Sequence, residues 1–217
     1  MSIFEHYKSR YEAAKEEEFT ISEFLALCKQ DKSCYASAAE RLLMAIGEPE
    51  LTDTAQDPKL SRLFSNRVIA RYPAFSEFYG MEDAIEQIVS YLKHSAQGLE
   101  ERKQILYLLG PVGGGKSSLA EKLKHLMQQV PIYYLKGSPV FDSPLCLFDV
   151  NEDGNILQQE YGIPKRYLRN IMSPWASKRL HEYNGDISQF RVVKKYPSIL
   201  DQLAIAKTEP GDENNQD

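Results

Sequence analysis

Gly110-Pro111-Val112-Gly113-Gly114-Gly115-Lys116-Ser117 is the stretch on which the fold turns. Its spacing, G-x-x-x-x-G-K-[S/T], is that of a phosphate-binding loop, a bend that needs a strand before it and a helix after it. Both neighbours read that way. Gln104-Ile105-Leu106-Tyr107-Leu108-Leu109 is a short apolar run bounded by charge on one side and glycine on the other, the pattern of a buried parallel strand. From Ser117 to Met127, Leu119, Leu123 and Leu126 share one helical stripe. Pro131-Ile132-Tyr133-Tyr134-Leu135 supplies a second strand, which makes a strand–helix–strand unit. The fold class expected is therefore α/β, with a parallel P-loop NTPase sheet as its core.

The chemistry follows from the residue types. A nucleoside triphosphate brings several negative charges against the protein. Backbone N–H groups of such a loop form an anion-binding nest, and the helix that starts near Gly115 adds its dipole and unpaired N–H groups. Glycines at 113, 114 and 115 let the backbone approach phosphate without a Cβ and permit positive φ. Lys116 is expected to reach the β and γ phosphates as a mobile point charge, and the Ser117 hydroxyl to ligate Mg²⁺. Ser118 adds an N–H or hydroxyl near the α phosphate. The expected ATP-binding residues are thus Gly110, Pro111, Val112, Gly113, Gly114, Gly115, Lys116, Ser117 and Ser118. ATP is preferred over GTP because no N-K-x-D guanine motif occurs. A second acid on Mg²⁺ usually ends an apolar strand. Asp149, after Leu145-Cys146-Leu147-Phe148, is the candidate, and an ordinary loop or capping residue is the alternative. There is no H-R-D or D-F-G, so nucleotide binding is legible where a complete catalytic site is not.

Composition sets the frame. The 217 residues carry a formal net charge of −5, with 42% hydrophobic and 26% charged residues. Those fractions are ordinary for a globular protein. A net acidic balance argues against a surface made for nucleic acid. No apolar run reaches the roughly 18 residues needed to cross a bilayer, and the charged N-terminal stretch is no signal peptide. Three cysteines without a C-x-x-C pair read as reduced thiols, and the expected location is cytoplasmic. The four histidines are scattered, without metal-site spacing.

Outward from the loop, residues 75–97 contain an amphipathic helix with Ile85, Ile88, Val89 and Leu92 on one stripe. Residues 62–73 read as a short helix and a strand, with Arg62, Arg67 and Arg71 forming a solvated basic face or meeting phosphate or a neighbouring subunit. Residues 49–61, polar with two prolines, read as a linker. Residues 1–48 read as a small helical module: a polar helix to about residue 18, a helix capped by Thr20-Ile21-Ser22-Glu23, and a helix capped by Ser33 that ends at Gly47. The nucleotide-binding domain is then 62–217. After Lys136, helices are expected at 155–161, 174–183 and 198–207, with a strand at 191–193.

Several stretches carry a family resemblance: YEAAKEEEFT, AAERLLMAIGEPE, LSRLFSNRVIARYPAFSEFYGMEDAIEQIVSYLKHSAQGLE, ILYLLGPVGGGKSSLAEKLK, EYGIPKRYLRNIMSPWASKRL and IAKTEPGDENNQD. Over nearly its whole length the chain resembles the PrkA family of bacterial serine protein kinases. The resemblance implies an AAA+-type ATPase core, ATP and Mg²⁺ as cofactors, phosphorylation of a protein substrate on serine, a cytoplasmic place, and a link to stress, starvation or sporulation. By position, Gly110–Ser118 correspond to the family's nucleotide loop. In AAA+ proteins a loop and helix before the first core strand close over the adenine, which points to Tyr79, Gly80 and Met81. Plain packing at a helix start is the alternative. Family members continue well past DENNQD, so the chain is expected to be an N-terminal portion lacking the later core and the kinase-like region. The loop at 136–149 is shorter than the family's usual one. AAA+ relatives often form rings, so homo-oligomers are expected partners beside the unidentified substrate. The competing readings are an AAA+ remodelling or protease-related motor and a non-enzymatic nucleotide-binding module.

Overall fold

A computed structural model describes residues 4–5, 17–56, 61–62, 64–99, 103–111 and 113–197. Most of the polar helix expected before residue 18, the helix expected at 198–207 and Val112 lie outside these residues. Two compact units emerge. One joins the described residues of Met1–Tyr35 to those of Pro131–Asp217, and the other is Ala36–Val130. The helices expected together in residues 1–48 thus belong to different units.

The first unit opens with strand β1 (Glu17–Thr20) and helix α1 (Ile21–Gln30). Thr20 closes a reciprocal cap: its hydroxyl accepts the Glu23 N–H at 3.2 Å, and the Glu23 carboxylate accepts the Thr20 N–H at 2.7 Å. Two N–H groups that the helix cannot satisfy are thereby paired. α1 presents Ile21, Phe24, Leu25 and Cys28 to the core. Strand β5 (Arg191–Lys195) lies between β1 and the strand Ile132–Leu135, here β4, and both ladders are antiparallel. Val192 and Val193 are adjacent, so they point to opposite faces, and both are fully buried. Glu17 sits opposite Lys194 in the β1–β5 register and pairs with it at 3.3 Å. Helices α5 (Gly154–Tyr161) and α6 (Pro174–Glu182) complete the unit, with Leu157 and Ala176 turned inward. Gly162 and Gly185 follow these two helices at positive φ.

A buried carboxylate ties the loop after β4 to the start of α6. Asp142 accepts the Ser138 hydroxyl at 2.8 Å and the Ser173 hydroxyl at 2.6 Å, and its other oxygen accepts the Ser173 N–H at 3.2 Å. Ser173 in turn caps α6 by accepting the Ala176 N–H.

In the second unit, α2 (Ala38–Ile46), α3 (Glu82–Ala96) and α4 (Lys116–Met127) pack around Leu42, Ile46, Ile85, Val89, Leu92, Leu119 and Leu126. Each such side chain removed from water contributes roughly 1.5–3 kcal/mol. The cap of α2 is Ser37 with Glu40, not Ser33. Ser33 instead donates its hydroxyl to Asp31 at 2.7 Å inside a short turn. Ser37 wins because Glu40 stands three residues after it and can bond back to its N–H. The expected linker starts as a strand: β2 (Glu50–Asp53) pairs antiparallel with β3 (Val68–Arg71).

The expected strand–helix–strand unit does not form. β4 runs antiparallel to β5, and residues 105–109 carry no ladder. Leu108 packs against the helical cluster, while Ile105, Tyr107 and Leu109 are 91%, 78% and 84% exposed. The run has the alternation of a strand, but a strand exists only through a neighbour's N–H and C=O groups. Among the described residues none lies beside it. No described helix is long and apolar enough to cross a membrane.

Candidate functional site

The glycine loop delivers the chain to the N-terminus of α4 by two left-handed residues, Gly113 at φ 82° and Gly115 at φ 74°. An L-residue pays roughly 1–2 kcal/mol there, which is why the loop needs glycine at these places. Gly114 has a different constraint. Its N–H closes a turn onto the Pro111 carbonyl at 3.2 Å, and a Cβ on it would stand 3.1 Å from that oxygen. The first bond of the helix runs from Leu119 N–H to Gly115 C=O at 2.9 Å. The N–H groups of Lys116, Ser117 and Ser118 therefore precede the helical ladder and stand at its positive end. Leu119, fully buried, anchors this first turn in the core, while Ser117 and Ser118 are exposed.

Lys116 folds back over the loop. Its Nζ donates to the Gly110 carbonyl at 2.6 Å and to the Pro111 carbonyl. The ammonium is thus held against the bend by two carbonyl dipoles. Phosphate oxygens would be stronger acceptors for it than those carbonyls.

Beside the loop opens a cleft of about 1090 Å³. Gly113, Gly114, Gly115 and Ser118 line it together with Phe78, Tyr79 and Met81. Gly80 turns the chain at φ 77° between Tyr79 and the start of α3. The Met81 thioether lies against Gly115, where a Cβ would come 3.0 Å from its sulfur. Tyr79 is 81% exposed, an aromatic face with open space before it. Tyr79 and Met81 therefore meet the phosphate loop in one concavity.

The cleft also runs along α4 past Glu121, Lys122, His125 and Gln129. Lys122 is held by Glu77 across the cleft at 3.2 Å. Sequence reasoning overlooked this stripe, although Ser118, Lys122, His125 and Gln129 recur at helical spacing from the loop. Asp149 lies in the first unit. Its Oδ1 accepts the N–H groups of Asn151 at 2.7 Å and Glu152 at 3.1 Å, the work of a turn-capping residue.

A loop of this shape fits a polyphosphate. The glycines carry no side chains, the helix start supplies N–H donors, and the Lys116 ammonium lies against the loop carbonyls. Lys116 and the first turn would hold the phosphates, Ser117 would offer its hydroxyl to Mg²⁺, and Tyr79 and Met81 would flank a base.

Comparison with known proteins agrees with the residues quoted above. The model of the PrkA AAA domain matches residues 19–217. A protein of Escherichia coli (strain K12) named serine/threonine kinase YeaG is 76% identical over all of this chain, which covers 34% of that relative. A Bacillus subtilis (strain 168) protein named ATP-dependent protease PrkA is 30% identical over 92% of the chain and 31% of its own length. The chain thus spans about a third of the length of these curated relatives. No solved structure matches it.

Proposed function

Because the chain belongs to the PrkA AAA domain family, we propose that it is the ATP-binding portion of a serine protein kinase of the PrkA type. The reaction is phosphoryl transfer from Mg-ATP to a protein serine. One observation carries the reading: the glycine bend at Gly113–Gly115 lines an open cleft together with Tyr79, Met81 and Ser118 and leads directly into α4, whose first residue, Lys116, lies against the loop carbonyls. The name of the Escherichia coli relative supports kinase chemistry.

Bound ATP supplies the transferable phosphoryl group and Mg²⁺ its charge neutralisation. This chain's residues bind and orient. Loop N–H groups hold the phosphates, and Lys116 exchanges its two carbonyl partners for phosphate oxygens. Ser117 positions the metal, and Tyr79 and Met81 sandwich the adenine edge of the cleft. In the fold that the family implies we place Ile105–Leu109 as a strand of the parallel sheet, with ring-type homo-oligomers and a protein substrate as partners in the cytoplasm.

The Bacillus subtilis relative's name favours a second reading, in which ATP turnover drives a motor coupled to proteolysis. A full-length relative carrying this domain, given γ-labelled ATP and candidate proteins, separates the two. Label on serine supports the kinase, and release of free phosphate alone supports the motor. Mg-ATP affinity that is unchanged by Lys116→Ala would remove the common basis of both, because a charge-assisted contact to phosphate is worth about 1.5–3 kcal/mol, roughly 10- to 150-fold in Kd.

A further inference from the structure

The cleft does not end at the phosphate loop. Glu77 and Lys122 line it further on, with carboxylate and ammonium 3.2 Å apart. Each comes from a fixed piece of the second unit. Glu77 follows the short helical turn Pro73–Phe75, whose Phe75 is buried and packs edge-on against the Phe78 ring at 6.1 Å. The Phe78 N–H also donates to the Phe75 carbonyl at 3.0 Å, so the backbone on both sides of Glu77 is tied down. Lys122 stands on α4 between Leu119 and Leu126, the two buried residues that fasten this helix to its core. The side chains of Lys122 and Glu77 are 26% and 59% exposed. An ion pair this open to water contributes little to stability, so holding the fold together does not account for it. A carboxylate has about four acceptor sites, and one ammonium leaves it able to accept more hydrogen bonds.

We propose that Glu77 binds the ribose of the nucleotide, its carboxylate accepting hydrogen bonds from the vicinal 2′ and 3′ hydroxyls, with Lys122 as the positioning residue that holds it; this rests on the nucleotide reading of the phosphate loop. The order of groups in a nucleoside triphosphate leads to these two residues. The phosphates belong to the loop and the first turn of α4, with the α phosphate nearest Ser118. The sugar is the group joined directly to that phosphate. Lys122 comes four residues after Ser118, on the same helix face and about 6 Å further along the axis. Both residues line the cleft, as does Glu77 opposite them.

The chemistry of the walls agrees with that order. Tyr79 and Met81 offer the base an aromatic ring and a thioether, neither of which answers a pair of hydroxyl donors. A carboxylate does, and accepting from a ribose hydroxyl is how a protein tells ribose from deoxyribose. Glu121, the other carboxylate on the cleft, pairs instead with Lys124 at 2.7 Å, a residue outside the cleft lining. A lone carboxylate so near a triphosphate would repel it. The Lys122 ammonium offsets that charge and holds the carboxylate without occupying all its acceptor sites.

The test is isothermal titration calorimetry of the full chain in Mg²⁺, comparing ATP, 2′-deoxy-ATP, 3′-deoxy-ATP and inorganic tripolyphosphate. ATP should bind about tenfold tighter than at least one deoxy analogue, the scale of one hydrogen bond to a charged group. Glu77→Ala should bring ATP and that analogue to the same Kd without weakening tripolyphosphate. Lys122→Met should shrink the preference for ATP; equal weakening of ATP and tripolyphosphate, with the preference intact, would assign Lys122 to the phosphates instead. If both deoxy analogues bind the wild type as tightly as ATP, or if the preference survives Glu77→Ala, Glu77 does not hold the sugar. The wild-type series decides this without any variant having to fold. Failure of both ATP and tripolyphosphate to bind would bring down the phosphate-loop reading itself, whereas tripolyphosphate binding with no preference among the nucleotides removes the ribose contact alone.

Discussion

Alanine placed at each glycine of the phosphate loop separates two costs that the loop imposes. At Gly110 the backbone is ordinary and a new Cβ would meet nothing nearer than Lys116 Cδ at 3.6 Å, so Gly110→Ala should be nearly silent in stability. At Gly113 a Cβ meets nothing within 4 Å, but φ is 82°. Gly113→Ala should therefore cost the conformational term alone, about 1–2 kcal/mol. Gly115 combines φ 74° with a Cβ 3.0 Å from the Met81 sulfur. Its replacement carries the same conformational cost plus a contact that only displacement of Met81 relieves, about 1 kcal/mol more. A chain of this size loses roughly 2–4 °C in Tm per kcal/mol. Thermal melts followed by circular dichroism should thus rank the variants Gly110→Ala, Gly113→Ala, Gly115→Ala in order of falling Tm. In the Gly115→Ala background, Met81→Ala should recover the contact part and leave the rest. If Gly115→Ala melts with the wild type, the left-handed cap does not exist in solution and the account of the loop is wrong.

Three further outcomes are expected. Asp142→Ala strands two hydroxyls and the start of α6, and urea titration should show a loss of about 3 kcal/mol, the scale of breaking a buried charged hydrogen-bond network. Glu23 is held below its ordinary value of 4.5, first by the Thr20 N–H and then by the Thr20 hydroxyl. A lowered carboxylate stabilises the fold above its unfolded value and loses that contribution as pH falls through the folded one. Wild type and Glu23→Gln should accordingly differ at neutral pH and converge on acidification below about 4.5 in pH-dependent melts; a gap that persists into acid contradicts the cap. Finally, Ile105, Tyr107 and Leu109 form an exposed apolar row that joins no ladder among the described residues, which is an association hazard. Ile105→Lys with Leu109→Lys should lower the apparent mass of the isolated chain in light scattering, and no change would show that this row does not drive association.

Local chemistry was readable along the chain wherever the partners are a few residues apart. Thr20 and Glu23 announce a helix start because the reciprocal cap is closed within one turn. Ile85, Ile88, Val89 and Leu92 announce α3 through their period, and the glycines with Lys116 announce an anion cradle whose geometry is set by φ angles and a helix end. Tyr79 and Met81, which stand directly before α3, line the cleft, whereas Gly80 is not among its lining residues. Partner choice over long separations was not legible. The run ILYLL has the composition of a core strand, yet a strand is completed only by another segment's hydrogen bonds, and the pattern of one segment does not say which segment arrives. β4 found β5, and β5 found β1 across most of the chain, with Glu17 opposite Lys194. The helix at 38–46 likewise joined α3 and α4 rather than α1, because its Leu42 and Ile46 stripe matches any apolar face of the right size.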